Sequence, residues 1–307
     1  MDTKLFVRKQ AGGMFAVIDR GFCPGSVFFV DSSNAKASDA VGFGQNPDAP
    51  CATIDYAISL CTADKGDIIY VMPGHAENVI TATGINCDVA GISIIGLGEN
   101  GSMPAVSFTA AAGSVTVAAA NVVINNLKLI ANFATGTTTG FTIEAAGDGC
   151  VLDGVVMRDT SAANEFLIHV SVSPTVADLV IRNCSFAGLA GAMSNSILFV
   201  GTSTNCVIED TDIFVDSSDS VIDHATGASV NLRVRRNVVV NADAGTAGYC
   251  VENKSDGTGV CHNNLLGYNK VDAEVTAGDA TWFFENYASN TIAESGLLDP
   301  ATSHAIP

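Results

Sequence analysis

One short pattern recurs along the chain, first in VVINNLKLI (residues 122–130), CVLDGVVM (150–157) and LVIRNCSF (179–186). It consists of two apolar residues, a polar residue, and then Asn or a substitute. Four more copies follow: CVIEDTDIF (206–214), RVRRNVVV (233–240), VCHNNLL (260–266) and FFENYAS (283–289). The last position falls at Asn126, Gly154, Asn183, Asp210, Asn237, Asn263 and Asn286, spaced by 28, 29, 27, 27, 26 and 23 residues. This period identifies residues 92 to 290 as one solenoid.

The local composition of each copy indicates strands. The copies are short runs rich in Val, Ile and Phe, with alternating polarity and flanking Gly, Asn, Asp and Ser. A second strand lies between successive copies, as in GFTIEAA (140–146), and the segment after each Asn supplies a third. Three strands per repeat predict one coil of a parallel β-helix, an all-β fold with equivalent strands ~4.8 Å apart. With ISIIGLG (92–98) as an earlier copy, we expect about seven to eight coils of ~27 residues.

We predict that the recurring Asn faces inward as a structural ladder. A side-chain amide turned inward at a tight bend can donate and accept hydrogen bonds along the stack. Asp210 interrupts the row of amides but can still accept hydrogen bonds from Asn183 and Asn237, which favours a structural role over a catalytic one. The predicted ladder consists of Asn126, Asn183, Asp210, Asn237, Asn263 and Asn286.

The residue before each ladder position should point outward and form its own column. Its charges alternate in sign, so like charges never lie side by side, and an exposed ion-pair ladder is predicted. Each exposed pair contributes only ~0 to 1 kcal/mol. The predicted column is Asn125, Asp153, Arg182, Glu209, Arg236, His262 and Glu285.

Asp153 and Glu209 are the best acid/base pair in the sequence. They lie two coils or ~9.6 Å apart, at the upper edge of the gap expected for an inverting glycosidase. Arg182 stands between them, and we expect a guanidinium there to favour the ionised form of both carboxyls, the opposite of what a general acid needs. We therefore predict no catalytic residue, and keep Asp153 and Glu209 only for the alternative that the chain is an enzyme.

No metal or cofactor site is predicted. The nine cysteines contain no CxxC pair, which argues against a metal knuckle, and their odd number means that not all can pair within one chain. Cys150 and Cys206, two coils apart, should stay reduced and buried. The loop 212–224 collects Asp212, Asp216, Asp219, Asp223 and His224, for which a solvated turn is favoured over a weak calcium loop.

Composition excludes several classes of protein. The 307 residues include 14 Lys and Arg against 32 Asp and Glu, a formal charge of −18, which argues against binding nucleic acid. With 48% hydrophobic residues the chain is not disordered. Residues 100–127 carry no charge, but polar residues and strand-like alternation argue against a membrane span. The start MDTKLFVRKQAGGMF lacks the apolar core of a secretory signal peptide.

Residues 27–78 resemble the segment that leads into the first coil in right-handed parallel β-helix proteins of the pectate-lyase-like superfamily. The matching motifs are FVD (29–31), PCATI (50–54) and GDIIYVMPG (66–74). Ile54, Ala57, Ile58 and Cys61 fall at helical spacing and predict an amphipathic helix that caps the core. The resemblance covers about residues 27 to 290 and implies a right-handed fold rather than a reaction.

The two ends suggest a docking arm and a plug. Residues 1–26 form the predicted basic arm, with Lys4, Arg8, Lys9, Arg20 and an exposed thiol at Cys23. Residues 27–78 form the lead-in strand and capping helix, 79–290 the β-helix and 291–307 a C-terminal tail. The aromatic residues of the last coil are expected to plug the core there, namely Trp282, Phe283, Phe284 and Tyr287.

A leaderless β-helix without an acid/base site resembles structural proteins of bacteriophage virions. The expectation is a non-enzymatic capsid decoration or accessory protein, made in a host cytoplasm and assembled into the virion. Its partners would be virion proteins, a major capsid protein or the tail, and copies of itself, with a trimer as one form. The alternative is a tail spike or receptor-binding protein, or a polysaccharide lyase or glycoside hydrolase, and only there is a polysaccharide the partner.

Overall fold

The computed structural model describes residues 6–8, 15–17, 25–188, 192–243, 248–269, 276–277, 281–291 and 294–298. Three long sheets surround one core, and each complete coil of the chain contributes one strand to each sheet. Neighbours within a sheet are equivalent strands of successive coils, paired in parallel up to a final antiparallel pair. The third sheet has eight strands. The prediction of an all-β, right-handed parallel β-helix is confirmed.

The strands of the three sheets alternate along the chain. Sheet 1 contains Val27–Val30, Ile68–Val71, Ser93–Gly96, Val123–Asn125, Val151–Asp153, Val180–Arg182, Val207–Glu209, Leu232–Arg235, Gly259–His262 and Thr281–Phe284. Sheet 2 contains Ala76–Val79, Ala105–Phe108, Lys128–Ala131, Val156–Asp159, Ser185–Ala187, Asp212–Val215, Val238–Asn241, Leu265–Tyr268, Asn286–Thr291 and Glu294–Leu298. Sheet 3 contains Ile85–Cys87, Val115–Val117, Phe141–Ile143, Ile168–Val172, Asn195–Phe199, Ile222–His224, Val251–Asn253 and Thr276–Ala277. Two small pairs, Phe6–Arg8 with Phe15–Val17 and Ser203–Thr204 with Ser229–Val230, and a short 3-10 helix at Asn100–Ser102 complete the structure.

Alternation along each strand builds the core. In sheet 1, Leu152, Ile181 and Ile208 are in register on successive strands and are completely buried. Their neighbours in sequence point outward. Burying one such side chain contributes about 1.5–3 kcal/mol, and the stack repeats along the solenoid. Phe108, Phe141, Phe166, Phe186 and Phe199 are the largest of its fully buried side chains.

The corner between sheets 1 and 2 explains why Asn recurs. One residue per coil has a positive φ there, a left-handed conformation that Asn, Asp and Gly adopt at low cost. The residues concerned are Asn126, Gly154, Asn183, Asp210, Arg236, Asn263 and Glu285. A second left-handed corner lies between sheets 3 and 1, where Asn231 Nδ2 donates to Asn205 Oδ1 (2.9 Å) and Asn205 Nδ2 to Asp178 Oδ1 (3.2 Å).

The predicted N-terminal helix is present at Ile54–Ser59. Thr53 caps it, because its side-chain oxygen accepts a hydrogen bond from the backbone N–H of Tyr56 (3.2 Å). Ile54, Ala57 and Ile58 are buried in the core cluster, and the helix contacts strands of sheets 1 and 3 at the start of the solenoid. Its apolar face therefore covers the first coil, as the residue spacing indicates.

The prediction of an aromatic plug in the last coil is wrong. Trp282 is 69% exposed and Tyr287 60% exposed, and Phe284 also points outward; of the four residues only Phe283 packs against the core. The reason is strand parity, since Trp282 and Phe284 lie on either side of the inward-facing Phe283. Within the described residues no helix is long and apolar enough to span a membrane.

Candidate functional site

The predicted carboxylate pair lies on the outer face of sheet 1. Asp153, Arg182 and Glu209 are in register on three successive strands, so the two carboxylates are two strands apart with the guanidinium between them. Arg182 Nε donates to Asp153 Oδ2 (3.0 Å), and Asn183 Nδ2 donates to Asp153 Oδ1 (2.8 Å). Both oxygens of Asp153 are thus occupied by donors from the next coil.

Glu209 is held in the same way by the following coil. Arg235 Nε donates to Glu209 Oε2 (2.7 Å), and Arg236 Nη2 donates to the same oxygen (2.9 Å). Arg236 also forms two hydrogen bonds to Asp210, which lower the pKa of that carboxyl. An acid/base role would need a carboxyl free to take up and release a proton, and these carboxylates are tied to arginines.

The outward column is one residue off at two of its predicted positions. Arg235, not Arg236, pairs in register with Glu209, and Phe284, not Glu285, follows His262. Arg236 and Glu285 instead occupy the left-handed corner, where φ is 56° and 53°. The predicted alternation of charge is present at Asp153, Arg182 and Glu209, and Arg235 continues it on the next strand.

The predicted Asn ladder needs a larger correction. Asn183, Asp210 and Asn263 are exposed and Asn126 is half-buried, because they occupy the left-handed corner itself rather than the inward position after it. Asn237 and Asn286 do face inward, and the member between them is Asn264. The inward column therefore reads Leu127, Val155, Cys184, Thr211, Asn237, Asn264 and Asn286, all buried.

Three stacked amides form the observed ladder. Asn237 Nδ2 donates to Asn264 Oδ1 (3.0 Å), and Asn264 Nδ2 donates to Asn286 Oδ1 (2.9 Å). Each Oδ1 also accepts the backbone N–H of the preceding coil, at Thr211, Asn237 and Asn264 (2.9 to 3.0 Å). Every amide therefore satisfies turn groups that would otherwise be buried without partners.

Sequence reasoning missed a second pair of carboxyls, on the outer face of sheet 3. Asp223 and Glu252 are in register on adjacent strands. Asp223 is buried and accepts hydrogen bonds from Asn195 Nδ2 (3.1 Å) and the backbone N–H of Ala225 (2.8 Å). The Ser220 hydroxyl donates to Glu252 Oε2. Finding this pair needs the strand register, since no short motif joins the two residues.

Burial raises the pKa of Asp223, and the charges of Glu252 and Asp219 raise it further. Two neighbouring carboxyls, one with a raised pKa, are an arrangement used in acid/base chemistry. Structural networks produce the same signature. Asp223 is only 7% exposed, which restricts the approach of a large substrate.

The residues of the predicted acidic loop are separated by the fold. Asp212 is exposed on sheet 2 between Ser185 and Val238, whereas Asp223 lies on sheet 3. In the part of the chain that the structure describes, no group of three or more His, Cys, Asp or Glu side chains is placed to bind a metal ion.

Two histidines are core residues. The His169 ring packs between Phe166 and Phe186, with ring centroids 5.7 and 5.3 Å away, and burial lowers the pKa of His169 to about 3. His224 stacks on Phe199 at 4.5 Å, and burial lowers its pKa also. Both rings are therefore neutral and shielded from any substrate.

The thiols are likewise inert. All eight described cysteines are free, and Cys150 and Cys206 are buried, as predicted. Burial raises the pKa of Cys150 to about 12, so it remains a thiol at neutral pH. The predicted docking arm falls largely outside the described residues, which exclude Lys4, Lys9, Arg20 and Cys23; for Arg8 only the backbone, in Phe6–Arg8, is described.

Comparisons with known proteins support the fold. No family model matches the sequence, and no curated protein matches it. Among solved structures, the chain is similar to pectin methylesterase PemA from Erwinia chrysanthemi, with a TM-score of 0.50 and 12% identity over 87% of this chain and 90% of that one. A pectin methylesterase in complex with a hexasaccharide gives a TM-score of 0.50 and 13% identity over 91% and 95%. At such identities the likeness shows the parallel β-helix fold and no more.

Proposed function

We propose that this chain is a non-enzymatic structural protein that uses its β-helix as a rigid body, and that it decorates a bacteriophage capsid. One observation carries the proposal. The acid/base pair that the sequence offers, Asp153 and Glu209, is bound by Arg182, Arg235 and Arg236 in an ion-pair ladder. That arrangement supports register and solubility rather than proton transfer.

The interior supports the same role. The apolar core continues from the helix at Ile54–Ser59 to Tyr268 within one cluster, and the buried histidines and thiols are shielded. A solenoid in which every coil contacts its neighbours is a stiff body suited to presenting surfaces. The capsid location rests on the resemblance to virion β-helix proteins.

The test is the composition of particles. Virus-sized particles purified from the source material on a density gradient should contain peptides of this chain at a constant ratio to the major capsid protein, and electron microscopy should place the rod on the capsid. Recombinant protein should bind particles from which it has been stripped. Absence from the particles, or a position at the tail tip, would overturn capsid decoration.

A second candidate, a spike that binds or cleaves a polysaccharide, is favoured by the Asp223–Glu252 pair. Pectin of high and low methyl esterification and host capsule are suitable probes, with release of methanol, reducing ends and unsaturated products as readouts. We expect no release. Activity that disappears in Asp223→Asn and Glu252→Gln, but survives in Asp153→Asn and Glu209→Gln, would establish an enzyme and overturn the structural role.

A further inference from the structure

Apolar exposure is concentrated on the last coils of the solenoid. Among the described residues, every large hydrophobic side chain that is both exposed and carried by a strand comes after residue 200. In the last three coils these side chains lie on adjoining faces of sheets 1 and 2. We call this surface the C-terminal patch and define it as Val238, Val260, His262, Leu265, Trp282, Phe284 and Tyr287. Exposed patches rich in aromatic residues mark protein interfaces.

Three parallel rows cross the patch, each with one residue per coil. In sheet 1 the row is Arg233, Val260 and Trp282, and in sheet 2 it is Val238, Leu265 and Tyr287. The left-handed corner between the sheets supplies the third row, Arg236, Asn263 and Glu285. In every row the two ends differ in chemistry, and they lie ~9.6 Å apart at two strand spacings.

The sheet 1 row complements itself when the order of coils is reversed. A two-fold axis along the middle strand of sheet 1, Gly259–His262, brings each end of that row opposite the other end in a second copy. Arg233 then faces Trp282, as in a cation–π contact, and Val260 meets its own equivalent. Sheet 2 turns away at the corner, where Arg236 and Glu285 approach each other at the edge of the interface. We propose that the C-terminal patch binds a second copy of this chain, with the two rods antiparallel about that axis.

Charge favours this occupant. The chain carries −18 overall, so two copies repel over most of their surfaces. Arg233, Arg235 and Arg236 are three of the nine Lys and Arg side chains that the structure describes, and all three lie beside the patch. In the described part of the chain Arg233 pairs with no carboxylate; its Nε donates to Asn231 Oδ1 at 3.4 Å. Arg235 and Arg236 are already paired with Glu209 and Asp210, so Arg233 is the positive charge that the patch leaves for a second copy.

Two rings of the patch already stack on each other within one copy. His262 and Phe284 stack with centroids 4.9 Å apart and planes inclined by 4°. A flat pair of this kind loses little rotamer freedom on association, which lowers the entropic cost of binding. Rigid aromatic anchors with an arginine rim are also the residues that dominate binding energy at interfaces.

Sedimentation velocity and light scattering of the full chain over a concentration series test the proposal. We expect twice the chain mass of 31.5 kDa at the upper concentrations. Trp282→Ser and Phe284→Ser, at exposed side chains of sheet 1, should each raise the dissociation constant about tenfold or more. Ile80→Ser, which removes an equally exposed side chain on a distant loop, should leave it unchanged. A monomer at every soluble concentration, a trimer, or equal effects of all three variants would overturn the proposal.

A charge exchange tests the two-fold geometry. Arg236→Glu alone should weaken self-association, because Glu would face Glu285 of the second copy, and Glu285→Arg alone should weaken it by opposing two arginines. An equimolar mixture of the two variants should restore the dimer, since both contacts are attractive in the heterodimer. Melting curves confirm that each variant is folded. If the mixture behaves as the sum of its components, the antiparallel arrangement is wrong.

Discussion

The first and second halves of the solenoid fill the same buried corner with different side chains, apolar in the first half and polar in the second. At the inward position after the left-handed corner, the early coils carry Leu127, Val155 and Cys184, whereas the late coils carry Asn237, Asn264 and Asn286. Outside, the exposed aromatic and aliphatic side chains of the strands belong to the late coils. The late coils therefore bury polar amides at this corner and expose large apolar side chains on their strands, whereas the described early coils do neither.

The comparison shows what a coil of this fold requires. A buried corner is stable when it is filled by apolar groups, or when amides satisfy every neighbouring donor and acceptor. Thr211 lies at the junction, where its hydroxyl accepts from the backbone N–H of Cys184 (3.3 Å) and donates to the carbonyl of Glu209 (3.0 Å), and its own N–H donates to Asn237 Oδ1. One hydroxyl thus joins the apolar corner to the amide ladder.

Removing the middle amide of the ladder should destabilise the late coils, with the largest loss of unfolding free energy of any substitution considered. Asn264→Leu leaves the backbone N–H of Asn237 without its acceptor, and it removes the side-chain hydrogen bonds to Asn286 Oδ1 and to the carbonyl of Val234. Unpaired buried groups cost about 1–3 kcal/mol each, so we expect a loss of about 3 kcal/mol or more in urea unfolding followed by circular dichroism.

The adjacent exposed residue is the matched control. Asn263→Gly keeps the left-handed φ of 56° accessible and removes an amide at the surface. We expect a change within about 0.5 kcal/mol. Equal shifts for the two variants would mean that the ladder runs through Asn263, as the sequence predicts, and not through Asn264.

The reverse substitution should break the early half. Val155→Asn places an amide between Leu127 and Cys184, which offer no side-chain partner of the kind that Asn264 has. An amide buried without compensation costs about 2 kcal/mol. Val156→Asn, at the next and outward-facing position, should cost far less in the same unfolding measurement. A neutral Val155→Asn would show that the amide ladder can be extended one residue at a time, and that the two corner types are interchangeable.

The same comparison explains how far sequence reasoning reached. The period of the Asn residues identifies the coils because the left-handed corner selects Asn, Asp or Gly wherever it recurs. It cannot assign the inward ladder, since Asn suits both the corner and the position after it, and NN at 263–264 or RN at 236–237 can be aligned either way. The Asp223–Glu252 pair could not be predicted, because the register between their strands in sheet 3 depends on connecting loops of unequal length.

A smaller effect is expected at the buried carboxyl of sheet 3. Because folding raises the pKa of Asp223, the charged form of this carboxyl is disfavoured in the folded state. The contribution of Asp223 to stability is therefore lost as pH rises from the pKa of the unfolded carboxyl to that of the folded one. Asp223→Asn should therefore stabilise the protein at pH 7, by on the order of 1 kcal/mol, and the gain should vanish at pH about 4 and below. Unfolding at several pH values measures this.

Asp212→Asn, at an exposed carboxylate, is the reference for that series and should show no such pH-dependent gain. A loss of stability in Asp223→Asn at pH 7 would mean that the ionised carboxylate is the form that the hydrogen bonds of Asn195 and Ala225 stabilise. The acid/base interpretation of the pair would then lose its support.

The smallest effect should come from the ion-pair ladder outside. Glu209 forms ion pairs with Arg235 and Arg236, whose side chains are 34% and 44% exposed. Solvent and salt therefore screen both pairs. Glu209→Gln should cost no more than about 1 kcal/mol at low salt, and the difference from wild type should shrink in about 1 M NaCl. Glu144→Gln, at an exposed carboxylate without an ion pair among the described residues, is the matched control. If Glu209→Gln instead cost as much as Asn264→Leu and were indifferent to salt, the exterior of sheet 1 would carry the stability assigned here to the interior corner. The contrast between the two halves would then lie in their surfaces, and not in how each fills its core.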